Sequence, residues 1–416
     1  MIKIKTSPVK GTVDYLPKEM EIRQQVVNII LDTYKKNGFL LVKTPVLENL
    51  ELLTKGDSGD NQKLMFKTVK RGAKLDLSKP NLTEADIVEE GLRYDLTVPL
   101  SRLYAGNREK LPFPFKSIQI DESFRAENPQ KGRDRQFTQC DIDLWGDASE
   151  LAEIEVLTTV LQAYKNLGLN NLVCKISDRK ILTSLIMQSG FKSEDVNSVC
   201  ITIDKIDKIG LDGVKNELLE KSFDQNIVNN LLSILSDVQT NGIDCLNKYN
   251  INNELITRIN NIINNVKKFT ASDYEIKFDI SIVRGQGYYT GTVFEVYKPD
   301  SDLRGALGGG GRYDNMLEKF LGQSIPAVGF GLGLVPVLML VMKNNLLNNK
   351  KSKKIALIYD NTFSIEQVMA KKYELMKNYD VSIFAWPKNF NNFVERIKNN
   401  NFDGLLKMNK DEIVWF

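Results

Sequence analysis

Histidine is missing from all 416 positions of this chain. Its absence removes every mechanism built on imidazole: no Ser-His-Asp triad, no His-ligated metal, no imidazole acid or base. Cysteine is scarce. Cys140, Cys174, Cys200 and Cys245 are scattered without a C-x-x-C spacing, which argues against a zinc site or disulfide framework and for a reducing cytosol. No glycine-rich stretch runs into the Gly-Lys-Ser/Thr of a Walker loop, and none sets G-x-G-x-x-G between a strand and a helix. The most apolar stretch, Ala327 to Met342, carries three glycines and a proline and falls short of the ~20 residues of a membrane span. It reads as buried core. Met1 to Lys10 is basic but lacks the roughly 7–15-residue apolar stretch of a secretory leader. Chemistry is left to Arg, carboxylates, Tyr, the backbone and bound Mg²⁺.

Little in the totals is one-sided. An apolar share of 42% and a charged share of 26% are those of an ordinary globular protein, and the length suits two or three domains. Net charge is +3, the difference of 56 basic and 53 acidic residues, so any basic surface for a nucleic acid must be local.

The informative stretch is Phe124–Asp143. Arg125, Arg133 and Arg135 are interleaved there with Glu127, Gln139, Asp141 and Asp143. At its centre, Asn128-Pro-Gln-Lys-Gly132 cannot be regular structure, so the run predicts two extended segments joined by a loop. Forked cations at the base of such a hairpin suit a phosphate, and Phe137 offers a ring face. A nucleotide fits both. Ser281–Gly291 puts Arg284 at a strand end, followed by glycines and the pair Tyr288–Tyr289; in strands such pairs more often pack than bind. Arg93-Tyr-Asp95-Leu-Thr97 sets an acid and a hydroxyl on one face of an expected strand, where they could hold an ammonium. Gly308–Gly311 and Gly329, Gly331 and Gly333 allow close backbone approach, equally for packing or for a ligand.

Along the chain, a broad apolar face predicts a helix over Glu19–Asn37, then a strand from Phe39 to Leu47 with Pro45 in an edge or interface position. Residues 69–90 read as loop with a short acidic helix. Leu92–Leu100 and Phe115–Phe124 read as strands, with a helix near Ser101–Gly106 between them. Helix is expected over Glu150–Gly168 and again throughout 178–270, an inserted helical domain. Strands return at Tyr274–Val283, Thr292–Tyr297 and Val328–Leu334. Beyond the polar linker Lys350–Lys354, strand and helix alternate, as in a small α/β domain. The expected domains are 1–175 and 271–345 for a two-part core, 176–270 for the insertion, and 351–416 for the last domain.

Taken together, these motifs are similar to a known family. Phe124–Asp143 resembles the second signature of class II aminoacyl-tRNA synthetases. Arg284–Gly291, Arg93–Pro99 and Gly308–Asp314 resemble its histidyl-tRNA synthetase branch, and Gly11-Thr-Val-Asp-Tyr-Leu-Pro17 is similar to that family's opening. The resemblance runs from Gly11 to about Leu340, and more weakly beyond Lys350. It implies an α+β fold: the class II antiparallel sheet flanked by helices, a helical insertion, and a small C-terminal α/β domain for the anticodon. It also implies a cytoplasmic homodimer, with no membrane association, that uses ATP and Mg²⁺ to join L-histidine to tRNA(His).

By the same resemblance, Arg125 contacts the α-phosphate and the reacting carboxylate, Glu127 the adenine amine, and Arg133 the outer phosphates, while Phe137 stacks on the adenine. Asp95, Thr97 and Gln139 hold the substrate's amino group. Asp143 and Tyr289 read the imidazole beside Tyr288, and Arg284 is a second catalytic cation. Two departures stand out. Gly331-Leu-Gly333-Leu334 runs into Val335-Pro336, where the third signature has Glu-Arg, and the last domain stops at Phe416, short of its usual final elements. Both favour an alternative, the histidine-sensing regulatory subunit of ATP phosphoribosyltransferase. Retention of Arg125, Glu127, Phe137 and Arg284 favours the synthetase.

Overall fold

The structure is a computed structural model that describes residues 4–56, 64–130, 132–283, 287–303, 305–347 and 352–416. In chain order the first half carries α1 (Pro17–Lys36), β1 (Leu40–Leu41), β2 (Leu47–Asn49), α2 (Leu50–Gly56), β3 (Lys67–Val69), α3 (Glu84–Ile87), β4 (Val88–Leu92), α4 (Thr97–Asn107), β5 (Phe115–Phe124), β6 (Gln136–Trp145), α5 (Glu150–Asn166) and β7 (Val173–Asp178). Five helices follow: α6 (Arg179–Gln188), α7 (Val196–Ile203), α8 (Ile206–Glu220), α9 (Gln225–Asn241) and α10 (Asn253–Phe269). The core resumes with β8 (Glu275–Phe278), β9 (Thr292–Tyr297), β10 (Gly308–Arg312), α11 (Glu318–Leu321), β11 (Ala327–Gly333) and α12 (Leu334–Lys343). Last come β12 (Lys354–Tyr359), α13 (Ile365–Leu375), β13 (Asp380–Ala385), α14 (Phe390–Asn399), β14 (Gly404–Lys407) and β15 (Val414–Trp415).

Two compact units result, one of Met1–Val13 with Val26–Leu346 and one of Asp14–Gln25 with Leu347–Phe416. The larger holds an eight-stranded sheet in the order β1-β5-β6-β11-β10-β9-β7-β8. Its six inner strands are antiparallel, and a parallel strand closes each edge, β1 beside β5 and β8 beside β7. This is the antiparallel sheet flanked by helices that the sequence implies. A second sheet, β2-β4-β3, adjoins α2 and α4. In the smaller unit, β12 runs parallel to β13 and β14, and β15 is antiparallel to β14. Ser364 and Gln367 form a capping box at the start of α13, and Asn389 caps α14.

The β5–β6 hairpin sets the site. Its ladder runs from Phe115 opposite Trp145 to Phe124 opposite Gln136, and residues 125–135 form the expected loop. Helix α10 shows why the insertion is helical: Ile256, Ile259, Ile262 and Val266 recur every three or four residues and are buried together.

Three expected elements are corrected. Leu92–Leu100 is not one strand, because β4 ends at Leu92 and α4 begins at Thr97. Asp95 Oδ1 accepts the Val98 amide N–H at 3.1 Å, and Pro99, which has no N–H, is tolerated in a helix's first turn. The strand expected over Tyr274–Val283 stops at Phe278, because Asp279 Oδ1 takes both the amide (3.0 Å) and hydroxyl (2.6 Å) protons of Ser281 in a tight turn. The strand expected from Phe39 to Leu47 divides around Pro45 into β1 and β2, which join different sheets.

Candidate active site

Because β6 is extended, Gln139, Asp141 and Asp143 project from one face at every second position. The residues opposite them on β11 are Gly333, Gly331 and Gly329. Each pair lies side by side, so a glycine on β11 leaves space for the polar side chain on β6. A methyl at 331 would sit 2.9 Å from Gln139 Nε2 and 3.0 Å from Asp141 Oδ1, and one at 329 would overlap Asp143 Oδ1. On the next strand, Gly311 makes the same room for the ring of Tyr289. The pocket floor is therefore backbone.

The walls come from four places. Asp95 and Thr97 enter from the β4–α4 junction, Gln139, Asp141 and Asp143 from β6, Tyr288 and Tyr289 from the segment before β9, and Tyr313 from the end of β10. Tyr288 and Tyr289 lie with ring centroids 4.8 Å apart, and both meet Tyr313 edge to face. The Tyr313 hydroxyl donates to Asp143 Oδ1. Asp143 Oδ2 is buried without a hydrogen-bond partner among the described residues. The walls close to a volume of about 20 Å³. That is room for roughly one water, so any larger guest requires them to part.

Three buried carboxyls share this space, and it shows in their acidity. Burial pushes Asp143 up to about 7, with the Tyr313 hydrogen bond opposing and the charge of Asp95 adding. Burial, then the charges of Asp143 and Asp95, hold Asp141 well above the usual carboxylate range. A site this acidic attracts a cation. The native state binds a proton at Asp143 that the unfolded chain has released, so this contribution to stability is present at low pH and is lost as pH rises from about 4 toward 7. Without ligand, the wild type should lose thermal stability relative to Asp143→Asn across that interval. A gap that stays flat, or that moves in favour of the wild type as pH rises, would contradict the assignment.

The second cluster is cationic and lies where β5 ends. Arg125 Nε donates to the Tyr94 carbonyl at 3.0 Å, and its guanidinium carbon is 5.0 Å from the Phe137 ring centroid. Arg135 stacks on Phe66 at 4.7 Å, and its amide donates to the Gly11 carbonyl at 2.7 Å, which fixes the opening segment against the hairpin loop. Glu127 is half-buried in that loop, and Arg133 is exposed there in a bridge to Gln130. Arg93 has a structural task. Fully buried, it binds the Thr44 and Glu122 carbonyls at 2.8 Å each and Asp121 at 3.0 Å.

The pocket thus gathers six of the residues singled out from sequence: Asp95, Thr97, Gln139, Asp143, Tyr288 and Tyr289. Arg125 and Phe137 form their own stacked pair. Arg284, expected to supply the second cation, lies outside the described residues. Asp141, named in the Phe124–Asp143 run but given no role, and Tyr313 also line the pocket. The period-two spacing of Gln139, Asp141 and Asp143 carried the signal for the first; for Tyr313 the neighbouring glycines gave only context.

Relatives place this chain in a class. The fold matches solved structures: an ATP phosphoribosyltransferase regulatory subunit/histidyl-tRNA synthetase from Bacillus halodurans (TM-score 0.76, 19% identity, covering 97% of this chain and 98% of that one) and a histidyl-tRNA synthetase from Nostoc sp. (TM-score 0.74, 22% identity, 97% and 91%). Sequence comparison is more specific. The chain is 36% identical over 386 residues to a histidine–tRNA ligase of Leifsonia xyli, covering 89% of this chain and 87% of that one. It is 34% identical over 379 residues to that of Cytophaga hutchinsonii, covering 86% and 83%. A model of the family described as histidyl-tRNA synthetase matches residues 11–337. The chain belongs to the histidyl-tRNA synthetase family.

Proposed function

We propose that this protein is a histidine–tRNA ligase, which activates histidine with ATP and transfers it to tRNA(His). One observation carries the reading at the site: an acidic pocket of three carboxyls adjoins a stacked Arg–Phe pair on the same hairpin. The pocket suits a substrate with an ammonium and an imidazole, and the pair suits a nucleotide. Asp95, Thr97 and Gln139 would take the α-amino group, and Asp143, held by Tyr313, would accept from the ring with Tyr289 beside it. Arg125 would bridge the substrate carboxylate and the α-phosphate, with Phe137 under the adenine, Glu127 at its amine and Arg133 at the outer phosphates.

Activation forms a bond from a carboxylate oxygen to the α-phosphorus and breaks the bond to the departing pyrophosphate. Negative charge spreads over phosphate oxygens, so placed cations count for more than a general base. A histidine-free site can do this. The described residues contain no group of three acidic or cysteine side chains placed to hold a metal, so Mg²⁺ would arrive on the phosphates of ATP and neutralise part of their charge. Specificity would follow from buried acids left unpaired by the wrong side chain.

The antiparallel sheet and the β5–β6 hairpin support a class II assignment. Exposed Leu40 and Leu41 on the β1 edge support a homodimer built on that edge. Four buried free thiols support a reducing cytoplasm. No helix among the described residues is long and apolar enough to cross a membrane. The helical insertion would approach the acceptor stem, and the unit beyond Leu347 the anticodon.

Histidine-dependent ATP–pyrophosphate exchange followed by charging of tRNA tests the reading. Both activities are expected. Absence of both, with co-purification of an ATP phosphoribosyltransferase, would establish the regulatory alternative. Gly329→Ala should raise the KM for histidine about 10²-fold in the exchange assay, because the new methyl displaces Asp143. An unchanged KM would remove Asp143 from the pocket.

A further inference from the structure

Asp95 and Thr97 line the pocket from the junction of β4 and α4. A junction between two elements keeps its aim only through contacts to its neighbours. The contact here is the Leu96 carbonyl, between the two residues, which accepts Gln119 Nε2 at 2.8 Å. Gln119 stands on β5 opposite Asp141, so both project from the same face of the sheet. Asp141 lines the pocket, whereas Gln119 meets the junction and is 1% exposed.

The Gln119 amide has one orientation that satisfies its surroundings. A carbonyl only accepts, so the NH₂ group faces Leu96, and the amide oxygen takes the Thr44 hydroxyl proton at 3.0 Å. Thr44 Oγ1 in turn accepts Arg93 Nη1 at 3.1 Å. The donors therefore run in one direction, from Arg93 through Thr44 and Gln119 to Leu96, and close a ring on residues 93–96. All three side chains are buried, and a satisfied buried network of this kind rigidifies what it holds.

We propose that Gln119 is a positioning residue, which holds Asp95 and Thr97 around the substrate's ammonium through the Leu96 carbonyl. The proposal rests on the reading that these two residues take the α-amino group, and it deepens that reading: Gln119 selects for an amino acid without touching it. The Leu96 carbonyl also accepts the Leu100 amide at 3.2 Å. Loss of the glutamine would therefore leave that carbonyl satisfied and α4 intact. What goes is aim.

Titration calorimetry with histidine and with imidazolepropionate, which lacks only the amino group, isolates this role. In Gln119→Met, affinity for histidine should fall about tenfold, while affinity for imidazolepropionate stays as in the wild type. In pyrophosphate exchange, the KM for histidine should rise by a similar factor with the KM for ATP unchanged. Thr44→Val removes the anchor of the Gln119 amide; it should show the same selective loss and serves if Gln119→Met does not fold. Equal losses for both ligands in a protein that melts like the wild type would show a general packing role and overturn the proposal, as would no loss for either. A wild type that binds the two ligands alike would overturn the amino-group assignment beneath the proposal. One that binds neither would sink the ligase reading itself.

Discussion

Replacing Arg125 by Gln should lower histidine-dependent pyrophosphate exchange by about 10²–10³-fold, as loss of one preorganised donor to a developing oxyanion does elsewhere. The side chain is unusually fixed for an arginine. Its Nε is held by the Tyr94 carbonyl and its guanidinium carbon lies 5.0 Å from the Phe137 ring centroid, so much of the entropy of aiming the fork is lost on folding and not on binding. Nε anchors the group, and the Nη pair remains to meet an anion bidentately. Arg125→Lys should fail nearly as badly, since one ammonium cannot both hold Tyr94 and fork across two oxygens. A variant with exchange within tenfold of wild type and an unchanged melting curve would take Arg125 out of the chemistry.

The largest loss of stability is expected at Glu153, which the candidate pocket never touches. This carboxylate is fully buried and takes Arg312 Nε at 2.8 Å, Arg312 Nη2 at 2.5 Å and Arg258 Nη2 at 2.8 Å. Burial alone would raise its pKa, but the bonds and charge from Arg312, then the charge of Arg258, outweigh it and hold Glu153 below the ordinary range. Glu153→Ala would leave two guanidinium groups facing each other, one of them buried. About 3–5 kcal/mol of destabilisation is expected, the usual result of removing one partner from a buried pair. Denaturant unfolding of the larger unit gives the value. The double variant Glu153→Met/Arg312→Met should cost less than the sum of its singles, and simple additivity would show that the pair is not coupled.

How far the sequence could be read depended on what kind of signal each part carried. The β5–β6 hairpin was legible because Pro129 and Gly132 punctuate two runs of extended residues. The helices between β7 and β8 were legible from isoleucines at helical spacing. Asp95, Thr97, Gln139, Asp143, Tyr288 and Tyr289, picked on resemblance, share one pocket in the structure. β10 was not legible as a strand. Gly308 to Gly311 have no side chains, so no alternation marks which face is which, and their pairing with β9 and β11 appears only in three dimensions. The Leu92–Leu100 misreading has a similar origin. A local side-chain cap by Asp95 outcompeted the strand pattern, and such a contact leaves little periodic trace.

Arg258 belongs to α10, the last helix of the insertion, while Glu153 belongs to α5 in the core. Pulling α10 away would strip a counter-ion from a carboxylate that water cannot reach. The helix is thereby moored to α5, and any displacement of it would cost that ion pair.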